Sequence, residues 1–205
     1  MYIPTHFAQT DIATLHALMA RHPLATLVKY GPEGLDANHV PLHLDAGAGP
    51  NGTLRGHIAR ANPLAGAAAV HGEILAIFQG PQSYISPSGY ATKSEHGKVV
   101  PTWNYTSVHA YGELKVIDDP TWVLNKVYAL TNAHEALLPE PWAVSDAPDD
   151  YIEKMLGAIV GIEITITRLL GKWKVSQNQP PANQANLIAA LAGQPMAELI
   201  RQHQQ

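Results

Sequence analysis

The sequence predicts a mainly β chain with peripheral helices, an α+β antiparallel barrel, and three observations carry that reading. Ile162, Ile164 and Ile166 alternate with Glu163, Thr165 and Thr167, the period of two expected of a half-buried strand. Extended runs follow one another across short turn segments, as in hairpins. No Gly-x-Gly-x-x-Gly joins a strand to a helix and no phosphate-loop motif occurs, so the marks of a doubly wound nucleotide-binding sheet are missing.

The elements are expected in the following order. Thr10 and Asp11 precede Ile12, Leu15, Leu18 and Met19, a helical spacing with a capping residue in front, which must stop before Pro23. Leu24 to Tyr30 and Leu35 to Leu44 are extended and joined by the turn Gly31-Pro32-Glu33-Gly34. Thr53 to Ile58 is a third strand. Asn62-Pro63 then opens an Ala-rich helix to about Val70, since Asn caps and Pro suits the first helical position. Ile74 to Gln79 is a strand ended by Gly80-Pro81, and Tyr84 to Ser86 is briefly extended. Residues 87 to 98 are polar and suggest a mobile excursion or lid. Trp103 to Ile117 is a long strand with a tight spot at Gly112. Pro120 to Ala136 and Asp149 to Leu156 are helices around a Pro-marked loop. Ile159 to Leu170 is a strand that Trp173 to Ser176 extends past a bend at Gly171. From about residue 181 the tail is helical, interrupted at Gly193-Gln194-Pro195. No repeat or linker divides residues 1–205, so a single domain with a helical tail is expected.

Composition excludes several classes. Lys and Arg total 13 against 17 Asp and Glu, a net charge of −4, and the cations are scattered rather than gathered on a basic face. With no cysteine there is no disulfide, thiolate metal site or cysteine nucleophile. The 11 histidines lack ligand spacing. His39 and His43, four apart on a strand, stand roughly 13 Å from each other, too far to share one ion. No metal site is expected. No Gly-x-Ser-x-Gly elbow supports a serine triad. The start of the chain carries no basic region or apolar signal core, and no apolar run reaches a membrane span, so a soluble cytoplasmic protein is expected. Apolar residues make up 46% and charged ones only 15%, which hints at surface covered by a partner chain.

Four segments can carry chemistry. In Gly56-His57-Ile58-Ala59-Arg60-Ala61-Asn62-Pro63 a strand ends at an arginine and a capped helix start, a ready anion site; the alternative is an ordinary capped helix beside a surface arginine. In Phe78-Gln79-Gly80-Pro81, Gly80 allows close backbone approach and Gln79 offers a donor and an acceptor; the alternative is a plain turn. In Pro101-Thr102-Trp103-Asn104-Tyr105, Trp103 and Tyr105 share a strand face and suit a planar ligand, a core or a dimer seam. In Lys172-Trp173-Lys174-Val175-Ser176-Gln177-Asn178, Lys174 and Ser176 share a face and suit a phosphate, or simply solvent.

These segments, with Met1-Tyr2-Ile3-Pro4, Asn38-His39-Val40-Pro41-Leu42, Tyr84-Ile85-Ser86-Pro87 and Gly157-Ala158-Ile159-Val160-Gly161, occur in one collinear order from residue 1 to about 178. In that order they resemble the PaiB-type family of FMN-binding negative transcriptional regulators. The resemblance implies an FMN-binding split barrel related to pyridoxamine-phosphate oxidase. It implies a homodimer with FMN at the subunit interface. The FMN phosphate is then expected near Arg60 and Asn62 and near Lys174 and Ser176. The strand Asn38, His39, Val40, Pro41, Leu42 is expected to run along the isoalloxazine through backbone groups. Gln79, Thr102, Trp103 and Asn104 are expected to flank the flavin, and His57 and Gln177 belong to the same candidate set.

No residue of the chain stands out as a catalytic acid or base. Three functions follow as expectations: a flavin-binding transcriptional regulator, with DNA as a partner that the acidic balance does little to support; an FMN-dependent oxidoreductase acting on a small molecule; and a flavin- or haem-related sensor without turnover, in which His57 or His109 serves as a ligand.

Overall fold

The computed structural model describes residues 1–31, 34–66 and 72–204. Among these the strands are β1 (Ala8–Gln9), β2 (Leu24–Gly31), β3 (Gly34–Pro41), β4 (His43–Asp45), β5 (Thr53–Ala59), β6 (Glu73–Ile85), β7 (Thr102–Ile117) and β8 (Ile159–Lys174). They form one sheet in the order β3-β2-β6-β7-β8-β5-β4, with β1 added on β8. The pairs β1–β8, β2–β3, β2–β6, β4–β5 and β5–β8 all run antiparallel. The helices are α1 (Ile12–Arg21), α2 (Thr92–His96), α3 (Pro120–Glu135), α4 (Asp149–Gly157), α5 (Pro181–Ala190) and α6 (Pro195–Gln202). This is the α+β antiparallel class that the strand alternation predicts. Among the described residues no helix is long and apolar enough to cross a membrane.

The chain forms two compact units. One comprises Met1–Leu18, Gln79–His109 and Leu170–Gln205, the other Met19–Phe78 and Ala110–Leu169.

In the second of these, β2 and β3 form a hairpin registered from Leu24 opposite Pro41 to Gly31 opposite Gly34, and the turn residues 32 and 33 lie outside the described residues. The run expected from Leu35 to Leu44 is two strands broken at Leu42, so β3 and β4, the two ends of the sheet path, are nearly continuous in sequence. Gly56 makes room for this break: a Cβ there would lie 2.8 Å from the Pro41 carbonyl oxygen. Arg55 stands opposite Glu163 in the β5–β8 register, donates to it at 2.8 Å and also pairs with Asp45. The alternating residues Ile162, Ile164 and Ile166 are fully buried, as their period requires. Gly112 is tight, as expected, because its Cβ would lie 2.3 Å from the Thr165 carbonyl oxygen. Asp119 caps α3 by accepting from the N–H groups of Thr121 and Trp122. The helix read from Asn62 to about Val70 is described only as the 3-10 turn Pro63–Ala65; residues 67–71 lie outside the described residues.

In the first unit, Asp11 accepts from the Thr14 N–H at 2.8 Å and its hydroxyl at 2.6 Å, which starts α1 where the capping pattern places it. Gly80-Pro81 does not end a strand. β6 runs through both residues to Ile85, and its pairing with β2 covers only Leu75 to Ile77, so Pro81 costs that pairing no ladder bond. The segment 87–98 is folded into a 3-10 turn, Pro87–Gly89, followed by α2. Gly171 is not a bend either: β8 continues to Lys174, and a Cβ at Gly171 would lie 2.6 Å from the Gln9 carbonyl oxygen of β1. The tail forms α5 and α6, which bury Leu187, Met196 and Ile200, with Gly193 at φ 81° between them.

Candidate functional site

The residues singled out in the sequence fall into two groups. Asn38 to Leu42, His57, Arg60 and Asn62 lie in the unit built on Met19–Phe78, and Gln79, Thr102 to Asn104 and Lys174 to Gln177 lie in the other.

In the first group, β3 ends the sheet path, so among the described residues the outer backbone edge of Asn38 to Pro41 has no ladder partner. The Val40 and Leu42 side chains are buried and His39 is exposed. The outer edge of this segment leaves backbone groups exposed among the described residues. Asn62 accepts from the Leu64 N–H at 2.9 Å and donates to the Asn38 side-chain oxygen at 2.7 Å. The capping expected of Asn62 is present, but the turn that it caps is three residues long and gathers no helix dipole.

Arg60 is engaged elsewhere. Its guanidinium forks onto Asp118 at 2.7 and 2.8 Å, its Nε donates to the Gly157 carbonyl at 3.0 Å, and one terminal nitrogen also donates to the Ile159 carbonyl at 3.2 Å. Asp118 lowers no barrier to an anion here: it already supplies the negative partner that a phosphate would, and it holds the arginine pKa up. His57 occupies the face of β5 opposite that of the core residues Leu54 and Ile58, and lines an apolar cavity with α3 and α4. Burial lowers its pKa, so the imidazole is neutral at neutral pH.

The second group has different electrostatics. Lys172 is 8% exposed and Lys174 half-buried, and no carboxylate of the described residues pairs with either. Lys172 donates to the Tyr2 carbonyl at 3.0 Å and stands over the Tyr105 ring at 5.2 Å. Lys174 donates to the Thr102 hydroxyl. Burial pushes the Lys174 pKa below its ordinary value, and Lys172 adds to that, against an opposite pull from Tyr105. Thr102, Asn104 and Thr106 share one face of β7 by the period of two. Asn104 donates to the Ser176 hydroxyl at 2.8 Å, while its own oxygen and the Thr106 hydroxyl are buried without a hydrogen-bond partner. Two cations lacking a counter-charge beside unpartnered buried polar atoms form a set of groups that an anionic, hydrogen-bonding ligand would complete.

Ser176 does not share a strand face with Lys174. β8 ends at Lys174, and Ser176 sits beyond it in the left-handed region at φ 62°, fixed by Asn104 and by Gln184, which donates to its carbonyl at 3.1 Å. Gln177 is also occupied, accepting from the Val175 N–H at 2.8 Å and donating to the Trp173 carbonyl at 2.6 Å. Both residues shape the turn after β8. Trp103 is 55% exposed and packs edge-to-face on Tyr84 at 5.8 Å rather than acting with Tyr105, and Gln79 is exposed, donating to Gln82.

Beside Thr102 opens a cavity of about 360 Å³, whose wall includes Tyr90, His96, Lys98, Gln179 and Asn183. Asn183 fixes that wall by accepting from the Thr92 N–H at 3.1 Å and donating to Gln179 at 3.1 Å. Sequence reasoning did not single out Lys172, Thr106 or Asn183. The spacing of Lys172 and Lys174 was a usable signal, since residues two apart on a strand share a face. Among the described residues no cluster of His, Asp and Glu could hold a metal ion.

Comparison with known proteins bears on the family and on the fold. A family model described as "Putative FMN-binding domain" matches residues 1–168. An uncharacterized protein of Emericella nidulans is 33% identical over 243 residues, covering 98% of this chain and 97% of the relative. The protease synthase and sporulation protein PAI 2 of Bacillus subtilis is 27% identical over 206 residues, covering 98% and 96%. Among solved structures, the flavocytochrome Anf3 from Azotobacter vinelandii is similar with a TM-score of 0.59 at 15% identity, covering 84% of this chain and 72% of that one. An FAD and heme binding protein from Mycobacterium smegmatis is similar with a TM-score of 0.58 at 16% identity, covering 82% and 73%. These two likenesses bear on the fold, an antiparallel split barrel with helices. The chain belongs to the PaiB-type FMN-binding family, and its cofactor is FMN.

Proposed function

We propose that this chain is an FMN-dependent regulatory flavoprotein that holds the FMN phosphate with Lys174 and Thr102, supported by Lys172. The carboxylate-free pair of inward lysines carries this reading, because an uncompensated buried cation is costly until an anion joins it. Asn104 and Thr106 extend the same face and bring unused hydrogen-bonding capacity to the ligand. The exposed Tyr84–Trp103 pair and Gln79 suit a flavin shared with a second copy of the chain, so the assembly is a homodimer with FMN at its interface. With 17 acidic against 13 basic side chains and no gathered basic face, regulation runs through a metabolite or a protein rather than through direct contact with DNA. A soluble cytoplasmic setting fits such a role.

A second reading, FMN-dependent oxidoreduction of a small molecule, is favoured by the cavity of about 360 Å³ that includes Thr102 in its wall. Bound FMN would supply hydride transfer. The chain's own share is to fix the phosphate end at Lys174 and to shape the cavity with Tyr90, His96 and Lys98. Titration of the flavin-free protein with FMN, followed by absorbance, tests the common core of both readings. Saturable binding that Lys174→Met weakens at least tenfold is expected. A protein that takes up no FMN, or a Lys174→Met variant with wild-type affinity, sinks the phosphate placement. Rapid bleaching of the bound flavin by NAD(P)H selects the oxidoreductase; a salt-sensitive gel shift would restore direct DNA contact.

A further inference from the structure

Among the described residues, His57 is the one basic side chain in the wall of a cavity of about 290 Å³. The other walls come from Leu124 and Val127 of α3, Tyr151 and Met155 of α4, and Trp142 and Val144 of the connecting segment. The sequence builds this directly. Tyr151, Ile152, Met155 and Leu156 follow helical spacing and give α4 an apolar face. On β5, His57 alternates with the buried Leu54, Gly56 and Ile58, which puts the imidazole on the face that the helices cover. Among the described residues, no lysine, arginine, aspartate or glutamate lines the cavity. Trp142 is 46% exposed and Tyr151 54%, so the opening is apolar and aromatic as well.

Each feature narrows the occupant. A volume of this size accommodates a bicyclic molecule, since a cavity of about 150 Å³ already takes benzene. Aromatic walls favour a planar ring through offset or edge contacts. The absence of a lining cation leaves a carboxylate or phosphate without counter-charge, so neither FMN nor haem with its two carboxylates is served here. A neutral imidazole has one N–H donor and one acceptor, enough for a single hydroxyl or amide on the ligand. His57 makes no hydrogen bond within the described chain, which leaves both nitrogens for that purpose.

We propose that this cavity binds an uncharged aromatic small molecule of about two fused rings bearing one hydroxyl or amide, which His57 meets with a hydrogen bond. The site stands on residues 57 and 124–159 alone and does not depend on where FMN binds. In a regulatory flavoprotein it is the place at which an aromatic metabolite is sensed.

Calorimetric titration of the FMN-saturated full chain with 2-naphthol, naphthalene and 2-naphthoate tests this. One saturable 2-naphthol site is expected, with 2-naphthoate at least tenfold weaker. His57→Leu should lower 2-naphthol affinity about three- to tenfold and leave naphthalene nearly unchanged. Ala147→Trp, which fills the cavity, should abolish binding of both while the far-ultraviolet dichroism and flavin spectrum stay as in the wild type. The proposal is overturned by any of four results: no saturable 2-naphthol binding; naphthoate binding as tightly as naphthol; FMN released by the probe; or undiminished binding in folded Ala147→Trp.

Discussion

The guanidinium of Arg60 is locked to the carboxylate of Asp118 by two hydrogen bonds, at 2.7 and 2.8 Å, and to two backbone carbonyls besides. An arginine so occupied has little left to offer a phosphate. The Arg60→Ala variant is therefore expected to bind FMN within about twofold of the wild type, because an exposed, already neutralised pair contributes little. A fluorescence titration of FMN measures this. A tenfold loss of affinity would return the phosphate to Arg60.

Lys174 is the opposite case: a half-buried cation with a hydroxyl partner and, among the described residues, no carboxylate beside it. Lys174→Met should weaken FMN binding about 10- to 100-fold, the worth of a charge-assisted hydrogen bond. The same variant should leave the flavin-free protein as stable as the wild type or more so, since it removes a buried charge that no carboxylate balances. Urea unfolding without FMN and titration with it separate the two effects. Reduced stability together with unchanged affinity would make Lys174 a structural residue only.

The depressed pKa of Lys174 gives a pH signature. Burial disfavours the charged form, so its folded-state pKa lies below the unfolded one. Without ligand, the cost of the charged lysine is full below the folded pKa and disappears as pH rises towards the unfolded value. Phosphate binding needs the charged form. FMN affinity should therefore fall as pH climbs from neutral into the region below the ordinary lysine range, with proton uptake on binding there. Lys174→Arg, which stays charged, should flatten that fall. Affinity that is level from neutral to pH ~10 in the wild type contradicts the assignment.

The sequence made the strands legible because their signals are local. Ile162, Ile164 and Ile166 announce their burial by alternation, and Asp11 and Asp119 announce helix starts by type and place. Gly80 misled: a glycine before a proline reads as a turn, yet both residues lie inside β6, where close packing excludes a Cβ and β2 pairing has already ended. The fate of Arg60 was not legible at all. Its partner is 58 residues away, and no local pattern couples the two. Ser176 shows the same blindness to backbone conformation, since alternation assumes an extended chain and the residue is left-handed. The cofactor itself came from collinear motifs, not from spacing or charge.

Gly80 and Thr106 meet so closely that a Cβ on the glycine would lie 2.2 Å from the Thr106 hydroxyl oxygen and 2.9 Å from Leu18 Cδ1. Gly80→Ala should destabilise the protein by about 1–3 kcal/mol through overpacking. The Thr106 hydroxyl is buried without a partner, so Thr106→Val should be neutral or stabilising by about 1 kcal/mol in the flavin-free protein. If the hydroxyl serves the ligand, the same change weakens FMN binding. Placing Gly80→Ala in a Thr106→Ala background should recover about 1 kcal/mol, the coupling expected of residues in contact. Urea denaturation of the four members of this cycle measures it. Equal costs of Gly80→Ala in both backgrounds would show that the clash is with Leu18 instead, and would leave Thr106 without a role in excluding the side chain.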